Sequence, residues 1–236
     1  MAHIEVAMDA TRERAGALLF SRYAYPPNDL GHSDVDHARE LVACAAGEIA
    51  VSALGALARG YQAAIPSLAL IAHAAGIADP FDARVVEAYW VGNALLDDPS
   101  LPMPPPHHNF RVLGASPWVS MVRAHESDSA LDVLEKCRVR WGRVLAIRDG
   151  VAAVRSRPLV QHGRTIELGE ARIELAALKF EGEGTQPRVR RGDWCALHWD
   201  WVCDRLSTRQ LVQLRRVTRM QLDAINDAPD GVLAEV

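Results

Sequence analysis

At Cys137 the hydrophobic spacing of this chain changes from three and four residues to two, and that change divides its 236 residues into a helical part and a strand-forming part. From residue 9 to about 96 the apolar side chains recur at helical spacing, with stop and start signals between them. Ser33 or Asp34 caps a segment that runs through Cys44 to Gly47; Pro66 suits a first helical turn that stops at Gly76. Asp82 caps a third segment, which carries Val85, Val86, Tyr89, Leu95 and Leu96. The stretch 97–109, DDPSLPMPPPHHN, excludes regular structure because consecutive prolines remove donors and fix φ. Phe110 to Val122 reads as a short strand-like piece, and Ser129 with Asp132 has capping-box spacing for a brief helix leading to Cys137.

Three features of this half offer chemistry. Tyr25 stands in the rigid turn Tyr25-Pro26-Pro27-Asn28, whose simpler role is a packed loop between helices. Gly92 and Asn93 interrupt a helical pattern after Tyr89 and Trp90, where glycine costs about 1 kcal/mol relative to alanine and a close helix crossing is the simpler explanation. His107 and His108 follow three prolines. In an extended segment they point opposite ways, so the pair is a weaker metal candidate than a pair of exposed or hydrogen-bonding imidazoles.

Beyond Cys137 the pattern is that of short strands. Val139 to Ile147 alternates and meets a turn at Asp149-Gly150. Val151 to Val154, Leu159 to Gln161, Thr165 to Leu168 and Ile173 to Leu178 follow, and Trp194 to Val202 forms a last strand. About five short strands favour a closed barrel, because closure hides edges. Ser207 and Gln210 then cap a helix to about Ile225. The fold class is α+β: an N-terminal all-helical domain, 1–128, with the Pro-rich loop 97–109, and a β-barrel with a C-terminal helix, 129–236.

Charge agrees with that division. Residues 1–128 hold 8 basic and 15 acidic side chains, or −7, and residues 129–236 hold 18 and 15, or +3, which together give the net −4. A surplus of 3 is too small for a nucleic-acid module, and Arg209, Arg215, Arg216 and Arg219 read as a solvated helix face. No run of 18 apolar residues exists to span a membrane, and the first residues lack a signal-peptide pattern, so the expected place is the cytoplasm. There Cys44, Cys137, Cys195 and Cys203 are expected to be thiols, ligands or nucleophiles rather than disulfides. Cys195 and His198 have metal-like spacing, but residues three apart on a strand face opposite sides. Cys137 opens the first strand and His198 lies in the last, and in a small barrel those strands are near each other. A thiolate with an imidazole is a partial ligand set for iron, zinc or copper; inert buried thiols and a core histidine are the alternative.

From Cys137 to Asn226 the chain resembles the HypC/HoxL/HupF-type chaperones of nickel–iron hydrogenase maturation. The matching residues are Cys137, Val139, Gly142, Val144, Asp149, Gly150, Gly192, Asp193, Trp194, Leu197 and His198, in the family's order. The resemblance implies an OB-like barrel that binds iron as an Fe(CN)2CO fragment or its precursor. It implies a HypD-like maturation factor and the hydrogenase large-subunit precursor as partners, with Cys137 and His198 holding the fragment. Three departures stand out. The family's cysteine is N-terminal, whereas 136 residues precede Cys137. Arg138 and Arg140 replace apolar residues and Trp141 replaces proline, so the thiol is expected to have bulky cationic neighbours that lower its pKa. Asp200 stands where glycine is expected. The first half resembles a bacterial helical family with Y-P-P-N, Y-W-x-G-N and H-H signatures, which implies no activity.

The leading expectation is therefore an assembly chaperone that transfers a cargo rather than turning over a substrate. The alternatives are an enzyme with a pocket built from Tyr25, Asn93, His107 and His108, using the barrel to dock a partner, and an adaptor without metal.

Overall fold

A computed structural model describes residues 15–24, 64–114, 117–124, 128–178 and 188–228. These divide into two compact units that part between Pro106 and His107. The sequence reading put that division at 128/129.

The first unit is helical. Residues 15–24 form α1, followed by α2 (Ala64–Ala74), α3 (Ala83–Trp90) and a 3-10 turn, Ala94–Asp97. Asp82 caps α3 as expected, its carboxylate accepting the Arg84 amide at 2.9 Å. Phe20, Leu68, Ile71, Val85, Val86 and Tyr89 are buried, and the Tyr23 and Trp90 rings stack at 5.3 Å. Gly92 does not sit inside a helix: α3 stops at Trp90, and a φ of 93° at Gly92 turns the chain into the 3-10 segment. The segment from Ser33 to Gly47 lies outside the described residues, and so does Tyr25.

The second unit opens with three helices, α4 (His108–Gly114), α5 (Pro117–Arg123) and α6 (Asp128–Cys137). The strand-like reading of Phe110 to Val122 is corrected here. Val112, Leu113, Val119 and Val122 pack with Ala130 and Leu134 of α6 and with Leu222 and Ile225, so three-residue spacing prevails over β propensity. The helix also begins inside the stretch expected to be irregular, because the His107 ring nitrogen Nδ1 accepts the Asn109 amide at 3.0 Å.

Seven strands follow: β1 (Arg140–Arg148), β2 (Val151–Ser156), β3 (Leu159–His162), β4 (Thr165–Leu168), β5 (Arg172–Ala177), β6 (Trp194–His198) and β7 (Trp201–Leu206). Five of them close a barrel in the order β1-β2-β5-β7-β6, compatible with an OB-like fold, while β3 and β4 form a separate hairpin. Positive φ at Asp149 and Gly150 makes the expected tight turn. Gly142 has no room for a side chain, since a Cβ there would meet Val154 at 2.2 Å. Val144, Val154, Ala176, Cys195, Leu197 and Val202 fill the barrel.

The single last strand expected from Trp194 to Val202 is two strands. They are joined by a turn in which Trp199 has φ 53°, a conformation disfavoured for a bulky side chain. Its amide donates to the Lys136 carbonyl at 2.7 Å, an anchor between segments far apart in sequence. Helix α7 (Thr208–Asp227) carries the expected capping box of Ser207 and Gln210. Arg215 on this helix lies over the rings of Trp141, at 5.6 Å, and Trp194, at 5.0 Å. Among the described residues no helix is long and apolar enough to cross a membrane.

Candidate metal centre

Three element ends meet at one point of the second unit. His108 is the first residue of α4, Cys137 the last of α6 and His198 the last of β6. One ligand atom from each lies within 4.8 Å of the others. Cys137 and His108 are partly exposed and His198 is buried, so the cluster has a floor and an accessible side. The two imidazoles meet edge to face with centroids 5.0 Å apart.

The local folding that places each ligand is readable bond by bond. His108 Nε2 lies 2.9 Å from the Cys137 carbonyl oxygen, which only accepts, so Nε2 carries the proton and Nδ1 is the ring's acceptor nitrogen. Burial holds the His108 pKa down at about 4, so the ring is neutral at physiological pH. The next residue, Asn109, is fully buried and pairs with both backbone groups of Val139, accepting its N–H at 2.6 Å and donating to its carbonyl at 2.8 Å. That double bond ties the start of α4 to the start of the barrel.

A second set of bonds ties the His198 turn to the Cys137 segment. Besides the Trp199-to-Lys136 bond, Arg140 Nη2 donates to the Trp199 carbonyl at 2.8 Å, and Lys136 Nζ lies 3.4 Å from the Asp200 carboxylate. Asp200 thus has a partner on the helix that bears Cys137.

Arg138 and Arg140 are not the cationic shell expected for the thiol. Both are fully buried. Arg138 binds Glu135 at 2.9 Å and the Arg157 carbonyl at 2.9 Å, while Arg140 binds Glu174 at 2.7 Å. Ser156 donates to Glu174, and the Leu159 amide donates to Glu135 at 2.8 Å. The alternation of β1 points Arg140, Gly142 and Val144 inward and Trp141 outward, so Arg140 supplies a buried charge. With two carboxylates beside the two guanidiniums, desolvation dominates at the thiol. Burial pushes the Cys137 pKa up to about 11, the reverse of the expected lowering.

The other candidates each have local partners of their own. His107 is buried and caps α4. Asn93 is in the first unit, where its amide donates to the Arg84 carbonyl at 2.8 Å and its oxygen accepts the Leu95 amide at 2.9 Å. These bonds are those of a helix-linking cap. Cys195 fills the barrel core, donates weakly to the Gly142 carbonyl at 3.5 Å and has its pKa raised by burial to about 12. The supporting residues Asn109, Glu135, Lys136 and Glu174 were not singled out by sequence reasoning. Their partners are far along the chain, and only the unusual pairing of charge with inward strand positions hints at Arg140 and Glu174.

The donor set fits a borderline or soft metal: one thiol sulfur and two imidazole nitrogens suit zinc, iron or cobalt rather than calcium or magnesium. Around such a metal, bonds of about 2.0–2.3 Å put donor atoms some 3.3–3.8 Å apart. A spread of up to 4.8 Å therefore closes with shifts of about 1 Å, within the reach of side-chain rotation. No curated protein and no solved structure matches this chain. A family model does match, over residues 12–102 and 95–231, and the chain belongs to that family, DUF6390, a family of unknown function.

Proposed function

We propose that this protein is a cytoplasmic accessory chaperone of nickel–iron hydrogenase maturation. It holds the Fe(CN)2CO fragment, or its precursor, through Cys137 and His198, receives it with a HypD-like factor and passes it to the large-subunit precursor. The observation that carries this reading is the meeting of the Cys137 and His198 ligand atoms within 4.8 Å, where the end of α6 meets the end of barrel strand β6. The barrel order supports it, and so does the chemistry. Low-spin iron with strong-field ligands takes a thiolate well, and an incomplete protein ligand set lets a cargo leave.

The chain also sets limits on the mechanism. With 136 residues before Cys137, no α-amino group stands beside the sulfur, so holding the cargo falls to thiolate and imidazole alone. Burial favours the protonated thiol, so loading displaces a proton and unloading is assisted by its return. Transfer, not turnover, is the work of such a site.

The test is infrared spectroscopy of the full chain purified after coexpression with hydrogenase maturation proteins. Bands of bound carbon monoxide and cyanide are expected in the wild type and absent in Cys137→Ala. Wild-type preparations free of iron and of these bands, or bands that persist in Cys137→Ala, contradict the proposal.

A further inference from the structure

We infer that His108 is a third protein ligand, through Nδ1, so that the chain forms a three-donor site for one divalent metal ion whose remaining positions are open to external ligands. The inference deepens the preceding reading and rests on it for Cys137 and His198. His108 lies outside the segment that resembles the hydrogenase chaperones, so that resemblance assigns it nothing.

Three observations carry it. His108 shares the 4.8 Å cluster with Cys137 and His198. Its Nε2–H is bound to the Cys137 carbonyl at 2.9 Å, the arrangement in which a metal-binding imidazole is oriented by a backbone acceptor and presents its other nitrogen. Asn109 fixes the same turn of helix to Val139 through two buried hydrogen bonds, so the spacing between His108 and Cys137 is set before any metal arrives. Asn109 is thereby a positioning residue. Three donors from three different element ends, one of them partly exposed thiol, match the open three-ligand pattern of exchanging metal sites rather than the closed four-ligand pattern of structural ones. The external ligands are small donors such as cyanide, carbon monoxide or imidazole.

The test is a titration of the metal-free full-length protein with cobalt(II) alone. Wild type is expected to bind one ion with a sulfur-to-cobalt charge-transfer band and visible bands of four-coordinate intensity, which shift when imidazole is added. His108→Gln keeps a donor for the Cys137 carbonyl but offers no imidazole. It is expected to retain the charge-transfer band and to weaken binding by about 100-fold, with altered visible bands. Asn109→Ala is expected to weaken binding by about 10-fold with His108 still in place. Circular dichroism of each variant checks that the fold is kept. Unchanged affinity and unchanged visible bands in a folded His108→Gln overturn the inference. Visible bands that depend on His108 but come without a charge-transfer band leave His108 as a ligand and overturn the assignment of Cys137.

Discussion

At the scale of single residues, environment rather than identity sets the chemistry of Cys137 and His108. A thiol with its pKa near 11 is about one part in ten thousand thiolate at pH 7, so Cys137 is expected to alkylate far more slowly than a free cysteine. Its rate should climb about tenfold per pH unit up to the folding limit, and iodoacetamide labelling followed by mass spectrometry measures it. Rapid labelling at pH 7 would mean that the thiol is not desolvated. His108 has the opposite problem, a base kept neutral. Its pKa falls from 6.5 to about 4 on folding, so below pH 6.5 the unfolded chain takes a proton that the folded ring refuses. Stability is full above pH 6.5 and is lost as pH falls toward 4, by up to about 1.4 kcal/mol per pH unit. Urea unfolding at several pH values should show that slope, and His108→Gln should flatten it. The nearness of the Cys137 and His198 segments was legible in part: β1 pairs with β6 as closure of a barrel leads one to expect, but Cys137 ends α6 instead of opening a strand. His108 was less so: an extended chain would have split the His-His pair, whereas the helix start gives His107 to the cap and His108 to the cluster.

Among the elements, the ends matter more than the interiors. The site joins the start of α4, the end of α6 and the end of β6, and buried bonds from Asn109 and Arg140 hold those ends in register. Arg140→Met is expected to cost about 2–3 kcal/mol, because it leaves the partly buried Glu174 carboxylate without its main partner. Chemical denaturation measures that loss, and a cost below about 1 kcal/mol would show that water solvates Glu174. The strands β1, β2 and β5, the Asp149-Gly150 turn and the Ser207 capping box were readable from local pattern. The tight turn at Trp199 was not, since a tryptophan at positive φ contradicts local preference and is held by the distant Lys136 carbonyl. The helices α4 and α5 were missed for a related reason, as their burial depends on Leu222 and Ile225 about a hundred residues away in sequence.

For the whole molecule, the division into units follows shared cores, not charge. The sign of the charge changes near residue 128, but Val112, Leu113, Val119 and Val122 belong to the core that includes Leu159, Ile166 and Leu222, so the second unit begins at His107. Surface charge does not register which core a helix packs against. A chain that starts at Ser129 loses those four side chains and Asn109 and is expected to unfold without cooperativity. One that starts at His107 is expected to keep a cooperative melt by circular dichroism, and identical melts would refute this division. The central claim is that one metal ion binds Cys137, His198 and His108, and X-ray absorption of the iron(II)-loaded full-length protein tests it most directly. One sulfur scatterer near 2.3 Å and nitrogen scatterers near 2.1 Å are expected by analogy with known thiolate and imidazole bond lengths, with the sulfur lost in Cys137→Ala. A first shell of oxygen alone, or one unchanged by Cys137→Ala, would contradict it.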